Sequence, residues 1–380
     1  MHKVWPHHSK KFLAFVIFFL LVYLICFRDD STYRVKFPIQ VNKFPTISPM
    51  KTAKDKNDNS TISIIQKEEE EETAKLEEQE PKLWINHTFS LKFNDTTVPV
   101  EWRYLPEINC AERRAVAIVS SEPSDKGRLA RDAIRDTWMS SVYSDTVKNN
   151  TILALFIIGW SENEANMMDV HKEAERFGDV IVISQPDSYR NLVIKIFSAM
   201  KYHQSFCKNV DYLFKVDHDV IFFPDHFFNL ERKGYFHSTE VASYGNTWKK
   251  AVVERDPKNR WYTSYTQYPK DLYPTFTSGP AYILTKNAIP KLLDAAQYRN
   301  LVMVEDVFIT GILAIDTKVK RISYPNFFYK YPQITNPKKF CSKEGQNRLI
   351  SIHKYAFHRY RTTFHYLKNL NCKKLVKKRS

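Results

Sequence analysis

Residues 211–223 read DYLFKVDHDVIFF. The run Asp211 to Val216 has the length and the aromatic and β-branched content of a buried strand. Asp217-His218-Asp219 sets two carboxylates at its end, and Val220 to Phe223 is apolar again. Carboxylates flanked in this way sit on a fixed edge rather than a floppy loop. Their oxygens suit hard cations such as Mg²⁺ or Mn²⁺. A cation held by one or two carboxylates, with its other positions on phosphates and water, is the expected way to grip a diphosphate and offset charge on a departing phosphate. The competing explanation of the triplet is an Asx-type turn closing the strand.

Upstream, the texture is regular. Ala115 to Ser121 (AVAIVSS), Thr151 to Ile158 and Val180 to Ser184 read as strands. Leu129 to Trp138, Glu162 to Phe177 and Asn191 to His203 have helical spacing. Continuous apolar strands alternating with helices predict an α/β fold with a mostly parallel sheet covered on both faces. Ligands of such sheets bind beyond the carboxyl ends of the strands, where the acidic triplet falls.

Downstream, Val304-Glu305-Asp306-Val307 precedes a predicted helix, Phe308 to Ala314. Acidic residues there cap the helix and complement its dipole. A transferase acting on a hydroxyl also needs a carboxylate base. Between the two acidic clusters lies Tyr273 to Tyr282, with a turn at Ser278-Gly279-Pro280. Trp261, Tyr262, Tyr265, Tyr268 and Tyr273 make the preceding loop rich in polar aromatics, suited to core filling or to stacking on sugars.

The N-terminal region has another character. Phe12 to Phe27 is an unbroken apolar run preceded by Lys3, Lys10 and Lys11. It is read as a short uncleaved signal-anchor with residues 1–11 cytosolic. Its large closing residues differ from the small ones of a cleavage site. Residues 28–108, polar and punctuated by prolines, are read as a lumenal stem, and 109–380 as the catalytic domain. Sequons at Asn59, Asn86, Asn94 and Asn149 fit a lumenal position. Cys110, Cys207, Cys341 and Cys372 would then face an oxidising compartment, with three pairings open.

The formal net charge of +15 suggests an anionic partner. No zinc-finger or RNP-like pattern accompanies it, so no nucleic-acid partner is expected. GxGxxG, GxxxxGKS, HExxH and GxSxG are absent, as is CxxC.

Five segments together carry a resemblance. They are Arg131-Asp132-Ala133-Ile134-Arg135-Asp136-Thr137-Trp138; Asp187-Ser188-Tyr189-Arg190-Asn191-Leu192-Val193-Ile194-Lys195; Lys215-Val216-Asp217-His218-Asp219; Tyr273-Pro274 through Ser278-Gly279 to Tyr282; and Glu305-Asp306-Val307 with Gly311. In this order the chain resembles the β1,3-galactosyltransferase family, which includes β1,3-N-acetylglucosaminyltransferases and, more distantly, the Fringe enzymes. The resemblance implies a glycosyltransferase-A type domain with a mixed, mostly parallel sheet. It implies inverting transfer of a hexose, galactose first, from a UDP-sugar to a glycan on protein or lipid, forming a β1,3 linkage. The alternatives are N-acetylglucosaminyl or N-acetylgalactosaminyl transfer, or an inactive lectin-like or chaperone relative.

It implies a type II Golgi membrane enzyme using Mn²⁺ or Mg²⁺. Asp306 would be the base. Asp217, Asp219 and His353 would hold the metal. Arg131, Arg135, Asp187, Asn191, Lys195, Asp217, Gly279 and Glu305 would shape the donor pocket. Residue types alone also allow the two arginines to be a structural ion pair and His353 a structural histidine. The resemblance further implies a Cys341–Cys372 bridge, with Cys110–Cys207 as the other pair. Two positions depart from the family pattern: His218 stands where the middle residue is usually Asp, and Thr277 where many members have Cys, so a bridge there is absent.

Overall fold

The computed structural model describes residues 87–108, 110–330, 336–353 and 359–377, all within one compact unit, Glu77–Ser380. The apolar run 12–27, Asn59 and Asn86 lie outside the described residues. Among the described residues no helix is long and apolar enough to cross a membrane.

The segment Ala115–Ser121 (β3) is buried at every position. Its alternation explains why. Val116 and Ile118 enter one apolar core, and Ala115, Ala117 and Val119 enter the other. Ile152–Trp160 (β4), Val180–Pro186 (β5) and Tyr212–Asp217 (β6) lie beside it in the order β5-β4-β3-β6, all parallel. The sheet extends through Phe276–Thr285 (β9), Ala242–Trp248 (β8) and Lys320–Ser323 (β10) on one side. On the other it ends in His87–Lys92 (β1) and Thr97–Tyr104 (β2). β9 runs antiparallel to both β6 and β8. The nine-stranded sheet therefore has as many antiparallel as parallel pairings, where the sequence predicts mostly parallel ones.

Helix α1, Asp125–Arg135, starts where the Ser124 hydroxyl accepts from the Gly127 amide. Helix α2, Glu164–Phe177, ends at Gly178 in the left-handed conformation, φ 60°. Helix α3, Leu192–Phe206, packs on the opposite face of the sheet through Ile196, Phe197 and Met200. A second sheet joins Val220–Phe222 (β7), Phe328–Lys330 (β11) and Ser351–His353 (β12). Its register sets His353 opposite Val220 and so beside Asp219. Cys110–Cys207 and Cys341–Cys372 are bridged.

Two sequence expectations need correction. The folded unit begins before residue 109, because 87–104, assigned to the stem, form β1 and β2. Their polar composition belongs to an exposed face: Leu91, Val100, Trp102 and Tyr104 are buried while their neighbours meet solvent. The helix predicted for Phe308 to Ala314 is also irregular. An α-helical start at Glu305–Val307 widens into a π-helix over Phe308–Leu313 and closes as Ala314–Asp316. We call the whole α4.

Candidate active site

In β6 side chains alternate faces, so Lys215 and Asp217 point the same way. The Lys215 ammonium donates to Asp217 Oδ1 at 2.6 Å and to the Gly279 carbonyl at 2.5 Å, and lies 3.5 Å from Glu305 Oε2. Burial works against its charge, but Asp217 and Glu305 more than offset it and raise its pKa. One buried cation thus ties the end of β6 to β9 and to the start of α4.

Asp306 is fixed from two sides. The Gly279 amide donates to Oδ2 at 2.7 Å and the Val307 amide to Oδ1 at 2.9 Å. The approach needs glycine: a Cβ at residue 279 would stand 3.0 Å from Oδ2 and 3.3 Å from Cγ. Thr310, inside the π turn, accepts from the Thr277 amide and donates within reach of the Asp306 carbonyl. Thr277 Oγ1 in turn lies 3.0 Å from Ser243 Oγ. Burial raises the Asp306 pKa, against the pull of Lys215 and the two amides. Its neighbour Glu305 is pushed up to about 7 by burial, with Lys215 opposing. Glu305 Oε1 accepts from the Tyr282 hydroxyl at 2.5 Å.

Asp219 Oδ2 lies 3.3 Å from His353 Nε2. Asp219 Oδ1 and His353 Nδ1 are buried without a hydrogen-bond partner. A buried carboxylate oxygen left unpaired is costly unless something further binds it. The oxygen-plus-imidazole donor set suits a divalent ion that takes most of its remaining ligands from a diphosphate and water, so these residues fit such an ion. Among the described residues no cluster of three or more candidate ligands occurs, Asp217, Asp219 and His353 included. Asp217 is drawn instead to Lys215, its same-face neighbour in the strand, and burial raises its pKa against that pull.

The donor-pocket residues divide. Lys195 Nζ donates to Asp187 Oδ2 at 2.7 Å and to the Ser121 carbonyl at 2.8 Å. Asp187 Oδ2 also accepts from the Gly159 amide, so these two side chains join the carboxyl ends of β3, β4 and β5. Asn191 donates its amide to the Pro186 carbonyl, holding the turn into α3. Arg131 and Arg135 do not line an open pocket. Arg131 grips Glu173 with two nitrogens, at 2.8 and 2.6 Å, and both side chains are 1% exposed. Arg135 pairs with Asp179 and Asp132 and stacks on Phe177 at 4.0 Å. They are structural, because α1 packs against α2 and each guanidinium meets a carboxylate there. Arg131 reaches the site indirectly, donating to Ser121 Oγ at 2.9 Å and to the Glu122 carbonyl.

Arg260 gathers two aromatic rings. The Arg260 guanidinium lies 5.0 Å from the Tyr189 ring and 4.5 Å from the Trp261 ring. The Tyr189 hydroxyl is pushed up to about 12 by desolvation, with the Asp306 carboxylate adding to it.

This arrangement holds two acidic centres, one just beyond the end of β6 carrying unpaired donor atoms and one at the start of α4 with an amide-fixed carboxylate. The galactosyltransferase family model matches residues 129–325, which include Lys215, Asp217, Asp219, Gly279, Glu305 and Asp306 but not His353. The chain belongs to that family. A β1,3-galactosyltransferase of Caenorhabditis elegans, bre-2, is 31% identical over 298 residues, 77% of this chain and 80% of that protein. Human β1,3-galactosyltransferase 5 is 26% identical over 226 residues, 59% of this chain and 71% of that protein. Human lactosylceramide 1,3-N-acetyl-β-D-glucosaminyltransferase is 25% identical over 234 residues, 59% of this chain and 61% of that protein. The protein is a glycosyltransferase of the β1,3 class.

In this member of the galactosyltransferase family, sequence alone leaves several residues without a role. Lys215 was visible as part of a motif, and its position two before Asp217 in a strand is the signal that pairs them. Ser121 and Glu173 carry no local signal, because their partners lie at least ten residues away in the chain, and Tyr282, visible as the end of a motif, has its partner Glu305 23 residues away.

Proposed function

We propose that the chain is an inverting, metal-dependent enzyme of glycosyltransferase-A type that transfers galactose from UDP-galactose to a glycan hydroxyl, forming a β1,3 linkage. We place it as a type II Golgi membrane protein with residues 12–27 as its anchor. The observation that carries the reading is the Asp306 carboxylate, gripped by two backbone amides and joined through Gly279 and Lys215 to the acidic triplet.

Each Asp306 oxygen accepts one amide hydrogen and keeps a lone pair for an incoming hydroxyl proton. Burial strengthens it as a base, moving its pKa toward the working range. The acceptor oxygen bonds to the anomeric carbon as the bond to UDP breaks, and the hydroxyl proton passes to Asp306. Asp219 and His353 would hold the Mn²⁺ or Mg²⁺, which when bound offsets charge on the leaving diphosphate. Lys195 and Asp187 order the loop ends that face the nucleotide. Tyr189, Arg260 and Trp261 offer flat surfaces against which the acceptor sugar stacks. Asn94 and Asn149 are exposed, as glycan attachment would require.

The test is a donor screen with residues 77–380 as a soluble protein. UDP-galactose, UDP-N-acetylglucosamine and UDP-N-acetylgalactosamine are supplied with Mn²⁺, and product linkage is determined. Galactose transfer in β1,3 linkage is expected. Asp306→Asn should lower kcat by about 10²–10⁴-fold while UDP still binds. Tight UDP binding by the unsubstituted protein with no turnover on any acceptor would instead mark an inactive binder.

A further inference from the structure

Two arginines in the segment between β8 and β9 are used in opposite ways. Arg255 is absorbed by the fold. Its Nη1 donates to the Thr263 carbonyl at 2.7 Å, its Nη2 donates to the Tyr268 and Lys270 carbonyls at 2.9 and 2.8 Å, and its guanidinium lies 3.8 Å from the Tyr265 ring. Arg260 is exposed, and among the described residues its guanidinium meets rings only, those of Trp261 and Tyr189. An aromatic face attracts a positive charge without neutralising it. The N–H donors of Arg260 therefore stand unmatched by any oxygen. The carboxylates of the same segment are engaged elsewhere. Glu254 accepts from the Asp256 amide and from the Asn259 side chain, and Asp256 Oδ1 accepts from the Lys258 amide. The Trp261 amide on Asn259 Oδ1 completes the turn that presents Arg260.

Topology sets where this cation stands. β9 runs antiparallel to β6 and β8, so the segment between β8 and β9 leaves the sheet at the carboxyl end of β6. Tyr189 follows β5, with β4, β3 and β6 between it and β9. The contact of Arg260 with Tyr189 thus reaches across the edge where Asp187 and Lys195 meet the Ser121 carbonyl and where Asp217 ends β6. Val253 and Tyr273, at the roots of the segment, share one apolar core with α3 and with Val307, the neighbour of Asp306. Arg190, next to Tyr189, and Lys258, just before Arg260, are also exposed and unpaired among the described residues. Like charges gathered on a surface repel. An oxyanion relieves that repulsion, and a guanidinium takes a carboxylate, sulfate or phosphate through paired N–H bonds. Trp261 is 45% and Tyr189 39% exposed, so both rings can meet a sugar that carries such a group.

We propose that Arg260, with Lys258 and Arg190, forms a subsite for an anionic group on the acceptor glycan, so that acidic acceptors are preferred to neutral ones. This rests on the reading of the protein as a transferase from a UDP-sugar to a glycan. The diphosphate of the donor has the same chemistry, and the test separates the two sources.

The full chain is purified in detergent and supplied with Mn²⁺ and the UDP-sugar that the donor screen selects. Neutral acceptor glycans are compared with counterparts that differ only by a sulfate, a phosphate or a uronic carboxylate. The charged form should have an acceptor KM lower by about tenfold, and the advantage should shrink as salt is raised. Arg260→Gln should erase the ratio, with the change in KM rather than in kcat. Arg260→Lys should keep part of it, since the charge remains and the paired donors do not. UDP affinity by calorimetry should stay within about threefold in both variants. Arg260 holds no hydrogen bond among the described residues, so the melting temperature should not move. Equal KM values for charged and neutral acceptors overturn the subsite, and so does a ratio that survives Arg260→Gln. A loss of UDP affinity as large as the loss in acceptor KM gives Arg260 to the donor and overturns the acceptor subsite. No transfer from any UDP-sugar to any acceptor overturns the transferase reading itself.

Discussion

Gly279 shows how a single hydrogen in place of a methyl group can matter. Its amide is one of the two donors on Asp306, and its carbonyl accepts from Lys215. No side chain fits between its Cα and the carboxylate. Its backbone is not in the left-handed region, so the demand is for space and not for conformation. Gly279→Ala would displace the Asp306 carboxylate by a few tenths of an ångström, lengthening the amide bond that orients it. Catalytic geometry is sensitive on this scale, and a misplacement of about 1 Å can cost about 10²-fold. We expect kcat to fall at least about tenfold with UDP affinity unchanged. Steady-state kinetics beside calorimetry checks this, and an unaltered kcat would mean that Asp306 is not the base.

At the scale of elements, the Arg131–Trp138 motif proves to be scaffolding beneath the triplet. Trp138 is fully buried, and its indole N–H donates to the Tyr360 hydroxyl at 3.2 Å. Tyr360 opens the helix Tyr360–Lys368 and donates to the Val220 carbonyl at 2.6 Å, one residue beyond Asp219. Tyr360 thus steadies the turn that bears Asp219. Tyr360→Phe leaves a buried carbonyl and an indole N–H unpaired, and should cost about 1–3 kcal/mol. Denaturant unfolding would show it as a lower midpoint with an unchanged slope.

The same elements show what could be read in advance. β3, β4 and β6 are apolar on both faces, so hydropathy alone reveals them. β1 and β2 bury one face each and carry Asn94-Asp95-Thr96 between them, which imitates a solvated linker. The π turn of α4 could not be anticipated, because it answers to Thr310 bonding across to Thr277, a contact between distant segments. At the site, the acidic residues were visible by position, whereas their division of labour was not. Asp217 turns to Lys215 and Asp219 to His353 because of strand register, which composition does not encode.

For the whole molecule, the two bridges act at different ranges. Cys110–Cys207 spans 97 residues and Cys341–Cys372 spans 31. The first joins the approach to β3 to the end of α3, at the edge opposite the triplet; the second ties down the helix Cys372–Lys377. Closing the longer loop removes more freedom from the unfolded chain, by about 1 kcal/mol in the loop-entropy model. Replacing both cysteines of the first pair by serine should therefore destabilise more than the same change in the second. Parallel denaturation curves of the two variants decide it, and the opposite order would show that local packing around each bridge outweighs loop length.

β1 has a mechanical corollary. It is the rim strand of the nine-stranded sheet, it pairs only with β2, and residues 1–86 join the sheet through it. Tension entering at His87 falls first on the pairing with Trp102, then on each following pair down to Lys92 with Thr97. Such a load peels bonds one after another instead of shearing them together, so β1 yields at low force. It acts as a mechanical fuse: β2, β5, β4 and β3 stand between it and β6, so the peeling of β1 leaves four strands in place before the carboxylates.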